Sequence, residues 1–374
     1  MSEGGPARAP GLFNRVLLPG VAFQAVVVGG GYATGRELAQ FFLPAGPWGG
    51  LLALGVCMVV WSLVLAVSFE FARATHSFEY RAFFKRLLGR GWVLFEVVYI
   101  VLLLLVLAVA GSAAGAILKS GFGLPSWVGT TALMVAVAGL AFRGNAAFER
   151  FLTWWVAFLV IVYVAFLILI LSAFGDRIAD TYAAASVGSG WAKAGIAYAG
   201  YNLAVAPAVL ATARHMRSRR DAVTAGLLAG PLAIAPGVLF FVAMMAGYPS
   251  IGAAEVPSDR LLAALNLPLF RLMFQLVLFG TLVDTGAGMI HAINERVAAA
   301  WPDRRGPAPT WIRLVVAAVL LVTAIVVANR IGLISLIANG YGVLTWAFIT
   351  VYVVPILTIG VWRLRTGRAP AESA

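Results

Sequence analysis

The sequence has one cysteine, three histidines and few charged residues. A single thiol, Cys57, excludes a disulfide framework, an iron–sulfur cluster and a cysteine-ligated zinc site. The three histidines are scattered along the chain, which argues against a histidine-ligated metal. Lys, Arg, Asp and Glu make up only 11% of the 374 residues, far less than an ordinary soluble protein carries. Soluble enzymes and cysteine-rich secreted domains are therefore excluded.

Long apolar runs are what the sequence does contain. Hydrophobic residues make up 62% of the chain, the mean hydropathy is +0.94, and runs of about 18 or more apolar residues, long enough to cross a bilayer, recur throughout. Short polar segments divide these runs into ten predicted spans, at 15–43, 47–72, 92–119, 126–143, 149–174, 190–213, 221–248, 267–298, 310–328 and 332–362. The composition predicts an all-α polytopic membrane protein.

The distribution of positive charge predicts the topology. With a cytoplasmic N-terminus, most of the 27 basic residues fall in cytoplasmic loops, which places both termini in the cytoplasm and the protein in the cell membrane. The net charge of +12 then needs no nucleic-acid partner. No cleavable signal peptide is evident, because the first apolar stretch is too long.

Ten spans divide into two sets of five. An odd number per half inverts the second half in the membrane, which predicts an inverted repeat of 15–174 and 190–362 between cytoplasmic tails at 1–14 and 363–374. The first helix of each half should then be interrupted. Both contain glycine-rich stretches, VVVGGGYATGRE at 26–37 and GIAYAGYNLAVAP at 195–207.

The three glycines of the first span predict a broken helix. Broken transmembrane helices are tolerated where protein or a water-filled cavity satisfies the freed backbone groups, as in transporters. A helix restarting after the break would direct its amides at a substrate carboxylate, whereas close helix packing is the structural alternative. The substrate ligands predicted in this stretch are Gly29, Gly30, Gly31, Tyr32 and Thr34.

Arg36 and Glu37 follow the break inside the first span. Charges at membrane depth are costly and generally face a cavity or a partner. Arg36 is predicted to close the external entrance, and Glu37 to bind an ion or a proton. Structural pairing with another helix is the alternative.

The sixth span is predicted to break between Ala199 and Asn202. Its freed carbonyls would receive a substrate ammonium group, and the Asn202 amide both donates and accepts hydrogen bonds. Packing or membrane-interface positions are the alternative for the tyrosines. The substrate ligands predicted here are Tyr198, Gly200, Tyr201 and Asn202.

The eighth span carries an acidic face. Thr281, Asp284 and Thr285 are spaced i, i+3 and i+4, so they share one side of a helix. A carboxylate with two hydroxyls suits Na⁺, or H⁺ if the carboxylate titrates. A structural pair of Asp284 with Arg36 or Lys193 is the alternative. In the tenth span, Tyr341 is predicted to face Arg36 as part of a gate.

Two of these motifs, VGGGYATGRELAQFF and FGTLVDTGAGMIHAINER, resemble the YkvI-type membrane proteins of the LeuT-fold, or amino acid/polyamine/organocation, transporter superfamily. The resemblance implies a five-plus-five inverted repeat in which helices one, two, six and seven form a bundle that rocks against a scaffold. It also implies that helices one and six hold a small amino acid. Carbonyls of Ala25 and Val28 would join the three side chains of the eighth span around a sodium ion. An aspartate at that sodium site departs from the better-known relatives.

Together these features predict a secondary active transporter for a small amino acid or related zwitterion, coupled to Na⁺ or H⁺. Its partners are a small-molecule substrate and membrane lipid; no other cofactor is expected, and the oligomeric state is left open. Walker A, HExxH and GxSxG motifs are absent from the sequence, so no enzyme activity is predicted. A non-transporting amino-acid receptor of the same fold is the alternative. A lipid-modifying enzyme is disfavoured, because the polar residues converge near the predicted midplane.

Overall fold

The computed structural model describes residues 11–143, 146–301 and 309–367, and these residues form an all-helical protein. Short 3₁₀ and π-helical segments join or extend the α-helices. The predicted tails lie largely outside the described residues. In chain order the α-helices are α1 (Leu18–Val27), α2 (Gly30–Ala33), α3 (Arg36–Phe41), α4 (Gly46–Ala74), α5 (Tyr80–Leu88), α6 (Trp92–Phe122), α7 (Ser126–Arg143), α8 (Ala146–Ala184), α9 (Trp191–Asn202), α10 (Arg219–Met244), α11 (Pro257–Ala264), α12 (Pro268–Ala300), α13 (Thr310–Ile331), α14 (Leu333–Ser335), α15 (Gly342–Phe348) and α16 (Val361–Thr366).

The described residues contain eight helical stretches long and apolar enough to cross a membrane. Two shorter apolar helices, Phe13–Val27 and Ser126–Leu140, accompany them. The chain is therefore a multi-pass membrane protein with about ten apolar segments, as the hydropathy predicts. The fifth segment continues beyond its predicted end at residue 174, where Phe174 has non-helical angles (φ −126°, ψ 19°) and kinks α8.

The first span is broken as predicted. Helix α1 ends at Val28 (φ −78°, ψ 65°), and the chain restarts only as the four-residue α2. A second interruption, which the glycine triplet does not indicate, lies at Gly35. This residue has φ +77°, and a Cβ there would lie 2.7 Å from the Phe240 ring. Only glycine satisfies both the backbone angle and the contact.

The sixth span behaves differently from its prediction. Helix α9 runs through Ala199 to Asn202 without unwinding and continues as a 3₁₀ helix over Leu203–His215. The backbone angles at Asn202 and Leu203 remain helical. The interruption is therefore a change of helix type after Asn202, and the residues predicted to unwind belong to the α-helix.

The helices divide into two packed groups. Helix α4 packs along α9 and α10, and α1 packs against α10, while α6 packs against α7, α12 and α13. Close approach between α4 and α10 depends on small residues: a Cβ on Gly226 would lie 2.2 Å from the Ala66 backbone. The first group contains spans one, two, six and seven, the set that the resemblance assigns to the bundle.

The two longest connections each contain a helix. The apolar face of α5, formed by Phe83, Phe84 and Leu87, is buried against the protein. On the opposite end of the fold, α11 lies over the broken first span, where the Ser258 amide donates to the Thr34 carbonyl at 3.0 Å. The connection between the seventh and eighth spans therefore contains a short helix that contacts the broken first span.

Candidate functional site

A small cavity of about 70 Å³ lies beside the break in the first span. The break, α6, α9, α12 and the start of the tenth span all contribute to its walls. Most of the wall is aliphatic, and the polar groups come from only a few side chains. The lining residues are Val26, Val27, Gly29, Tyr32, Glu37, Leu102, Val106, Val109, Ala110, Tyr201, Asn202, Val205, Leu282, Thr285, Met289 and Tyr341.

Glu37 and Tyr201 form the polar centre of this cavity. The Tyr201 hydroxyl donates a hydrogen bond to Oε2 of Glu37, and both side chains are buried. The Tyr201 ring lies between Phe41, at a centroid distance of 5.5 Å, and Tyr341, at 4.5 Å. This stack fixes the hydroxyl relative to the carboxyl group. The sequence predicts Tyr341 opposite Arg36, but the ring packs on Tyr201 instead.

Carbonyl groups at the start of the predicted break in the sixth span, and in the two residues before it, have side-chain donors. Thr345 Oγ1 donates to the Ala197 carbonyl at 2.9 Å, and Asn202 Nδ2 donates to that of Tyr198 at 3.0 Å. The Ala199 carbonyl accepts from Trp61 Nε1 at 3.3 Å. An intact α9 therefore offers side chains, rather than freed carbonyls, to the cavity.

Not every predicted ligand of the sixth span reaches the cavity. A Cβ on Gly200 would lie 2.9 Å from the Ile349 side chain. The lack of a side chain at Gly200 therefore lets the tenth span pack closely against α9. Tyr198 is fully buried among aromatic rings, including Phe42 at 4.8 Å and Trp61 at 5.9 Å. Tyr201 and Asn202 are the two predicted ligands of this span that line the cavity.

Arg36 is directed away from Glu37. Its Nη1 donates to the carbonyls of Gly252 at 2.7 Å and Ala254 at 2.9 Å, and its Nη2 donates to Gln40 Oε1 at 3.3 Å. The side chain therefore holds the loop before α11 against the first span. Thr34 is also buried, and its carbonyl and hydroxyl oxygens accept from Ser258 and Arg36 amides. Both residues therefore connect the first span to the segment that contains α11.

The predicted ion ligands are distributed around the same break. Thr285 lines the cavity, and its Oγ1 lies 3.5 Å from the position of a Cβ on Gly29. The Gly29 amide donates to Val27 at 2.8 Å, so it does not donate to Ala25 as in a continuous helix. Thr281 donates to the Val277 carbonyl at 2.9 Å.

Asp284, on the same helix as Thr281 and Thr285, is half-buried and is not among the residues that line the described cavity. Lys193, one of its two predicted partners, is exposed, and the other, Arg36, binds the external loop. Val28 is partly buried and Ala25 exposed, and the backbone of Gly30 and Gly31 belongs to α2.

A polar cluster that the sequence does not reveal holds the same N-terminal turn of α11 to the start of α12. Arg271 binds the buried Asp259 through two hydrogen bonds, of 2.7 and 2.6 Å, and Gln275 Nε2 donates to the same carboxylate at 2.7 Å. Arg271 also donates to the Ser120 carbonyl at the end of α6, at 3.2 Å. In the sequence, the sign of this cluster is that Asp259 and Arg271 lie on either side of the connection between α11 and α12. They are 12 residues apart, so their spacing does not show that they meet.

The fold defines a class of protein. No protein-family model matches the sequence. The structure is similar to MhsT in its complex with L-phenylalanine, with TM-score 0.58 and 13% identity over 97% of this chain and 99% of that one. It is also similar to a manganese transporter of Eremococcus coleocola, with TM-score 0.54 and 14% identity over 92% and 78% of the two chains. The protein is thus an all-helical membrane protein with the LeuT fold.

A comparison of sequences identifies a distant relative of the chain. The chain is a distant homologue of the uncharacterized membrane protein YkvI of Bacillus subtilis (strain 168), with 24% identity over 352 residues. The match spans 87% of this chain and 92% of the relative. The resemblance stated from the two sequence motifs is confirmed, and the structural neighbours are transporters rather than enzymes.

Proposed function

We propose that this protein is a secondary active transporter of a small amine-bearing solute, such as an amino acid or a related compound, working by alternating access. The observation that carries the proposal is the cavity beside the break in the first span. It contains an acid, an amide and hydroxyl groups within a LeuT fold. A polar cavity at a helix break inside the membrane is where transporters of this architecture bind their solutes.

An organic solute is favoured over a metal ion as cargo. One structural neighbour is a manganese transporter, and Mn²⁺ prefers carboxylate, carbonyl and water oxygens. Within the described residues, no group of three or more His, Cys, Asp or Glu side chains is placed to hold a metal. The cavity wall instead combines aromatic and aliphatic side chains with few polar groups, the composition of small-molecule sites.

The same proposal includes a coupling ion, Na⁺ or H⁺. Candidate oxygen ligands for Na⁺ are the carbonyls of Ala25 and Val28 with Thr281, Asp284 and Thr285. The geometry at the break supports this set of ligands. The Gly29 amide donates to Val27 instead of Ala25, and Thr285 lies against Gly29. Hard cations prefer oxygen ligands of this kind.

The test is flux in proteoliposomes containing the purified protein. Labelled amino acids and the corresponding amines are offered under an imposed Na⁺ gradient, an imposed pH gradient, or neither. Accumulation that follows one gradient supports the transporter. Binding, measured as a rise in thermal stability, without any flux or counterflow would contradict it and favour a receptor.

A further inference from the structure

The charge of the cavity wall is unbalanced. Among the described residues that line it, Glu37 is the one carboxylic acid, and none is Lys, Arg or His. The helix that restarts after the glycines, α2, has only four residues and is too short to supply a substantial dipole. The cavity therefore has a group for a positive charge and no comparable group for a substrate carboxylate.

Among the described residues, Glu37 also has no basic partner. The described ion pairs join Arg15 to Asp221, Arg73 to Glu70, Arg271 to Asp259 and Arg296 to Glu96, and none of these includes Glu37. The adjacent Arg36 is bound to loop carbonyls. Glu37 is only 6% exposed, and an ionised carboxylate in such a place is costly unless a cation neutralises it. Either a proton or a cationic ligand must compensate it.

The other described side chains that line the cavity around Glu37 do not carry a positive charge that could balance its carboxylate. The titratable side chains of the wall are the phenols of Tyr32, Tyr201 and Tyr341, which are neutral at physiological pH. Helices α6 and α12 contribute no acid or base to it, and Asp284 of α12 is outside the lining. The Tyr201 hydroxyl donates a hydrogen bond to Glu37, and the carboxyl group accepts this bond whether or not it is protonated.

We infer that Glu37 binds a substrate ammonium group and a proton in turn, so that the protein exchanges cationic amines for protons. This inference rests on the proposed function and narrows its substrate class from zwitterions to amines without a carboxylate. An ammonium group supplies donors to Glu37 and to the Asn202 amide oxygen, both of which line the cavity. Because the Glu37 carboxylate holds either the proton or the ammonium group, but not both, binding of the amine releases the proton.

The experiment uses matched pairs of probes with purified full-length protein: leucine with 3-methylbutylamine, and phenylalanine with phenethylamine. Affinity is followed by thermal stability, and proton release by a pH indicator in weak buffer. We expect each amine to bind at least tenfold more tightly than its amino acid and to release about one proton. Glu37→Gln, which keeps the shape and the acceptor for Tyr201, should weaken amine binding by roughly 100-fold and abolish proton release. Glu79→Gln, at an exposed carboxylate, is the matched control.

Infrared spectroscopy tests the proton separately. Ligand-free protein at neutral pH should show a carboxylic acid C=O band that is absent from Glu37→Gln and is lost when an amine binds. Absence of that band overturns the inference whatever solute is carried. Binding and flux of the amino acids without proton release would overturn the inference and leave the proposed function intact. Failure of every probe to bind or to be transported would count against both.

Discussion

Glu37 and Asp284 are acidic side chains with different surroundings. Glu37 is buried in the cavity against Tyr201, whereas Asp284 is half-buried on α12 and outside the cavity lining. The sequence predicts an ion-binding role for both, since each lies within an apolar span. Glu37 therefore lines the cavity, whereas Asp284 stays a candidate ligand for Na⁺ outside its lining.

Replacing Asp284 by Asn should remove any dependence of transport on Na⁺. The amide keeps the volume of the side chain but loses the charge that favours a cation. We expect any difference in thermal stability between Na⁺ and K⁺ to disappear and ion-driven uptake to fall at least tenfold, with expression unchanged. Asp176→Asn, at an exposed position on α8, is the control. Unchanged ion-driven uptake in Asp284→Asn would exclude this residue from the ion site.

Replacing Tyr201 by Phe should weaken ligand binding while the aromatic stack is retained. The change removes only the hydroxyl that bonds Glu37, and hydrogen bonds to charged groups contribute about 1.5–3 kcal/mol. Affinity for the transported solute should fall roughly 10- to 100-fold, measured by thermal stability against ligand concentration. Tyr182→Phe, on α8 outside the cavity, should leave affinity unchanged. Equal affinities in wild type and Tyr201→Phe would contradict an orienting role for the hydroxyl.

Among the helices, the contact between α4 and α10 depends most visibly on small residues. Gly226 lies against the Ala66 backbone, and a Cβ on Gly230 would lie 2.2 Å from Ser62 Oγ. The backbones therefore approach so closely that no side chain fits between them. Small residues commonly permit such contact between membrane helices.

Gly226→Ala should consequently destabilise the protein, because the methyl group would collide with backbone that cannot rotate away. Overpacking of this kind costs typically about 1–3 kcal/mol, which should lower the unfolding temperature in detergent by several degrees. Gly55→Ala is the matched control on the facing helix, since nothing lies within 4 Å of a Cβ there. An unfolding temperature equal to wild type for Gly226→Ala would show that the helices separate easily.

Across the full structure, α11 connects the two packed groups of helices. Arg36 and Thr34 hold it to the broken first span, and Arg271 and Gln275 hold it through Asp259 to α12 and α6. If the groups move against each other during transport, this segment must release one set of bonds. We propose that release of one of these two sets of bonds opens the cavity from that side.

Arg36→Gln and Asp259→Asn should each loosen α11. The first removes the guanidinium donors to two loop carbonyls, and the second leaves Arg271 without its carboxylate. We expect amide hydrogen exchange across 250–264 to accelerate by roughly tenfold in each variant and further in the double variant. Exchange in α13, remote from this loop, serves as the internal control. Unchanged exchange in both variants would show that backbone contacts alone hold the loop.

Hydropathy was sufficient to predict the membrane class and the ten apolar segments, because burial in lipid requires long apolar runs. The glycine triplet at 29–31 likewise predicted a broken helix, since three glycines in a row weaken a helix locally. The structure places the break at Val28 and Gly29, and Gly30 and Gly31 begin α2. These properties depend on neighbours in the chain. They are therefore readable without knowledge of the fold.

Long-range contacts were not readable in this way. The glycines of the sixth span suggested unwinding, but Gly200 admits the side chain of Ile349, and α9 stays intact because its carbonyls find protein donors. The pairing of Glu37 with Tyr201, the orientation of Arg36 toward the loop and the Asp259 cluster join residues far apart in the chain. Which buried polar group meets which partner depends on how the helices pack, and the packing alone places Glu37 in a cavity whose described lining residues include no base.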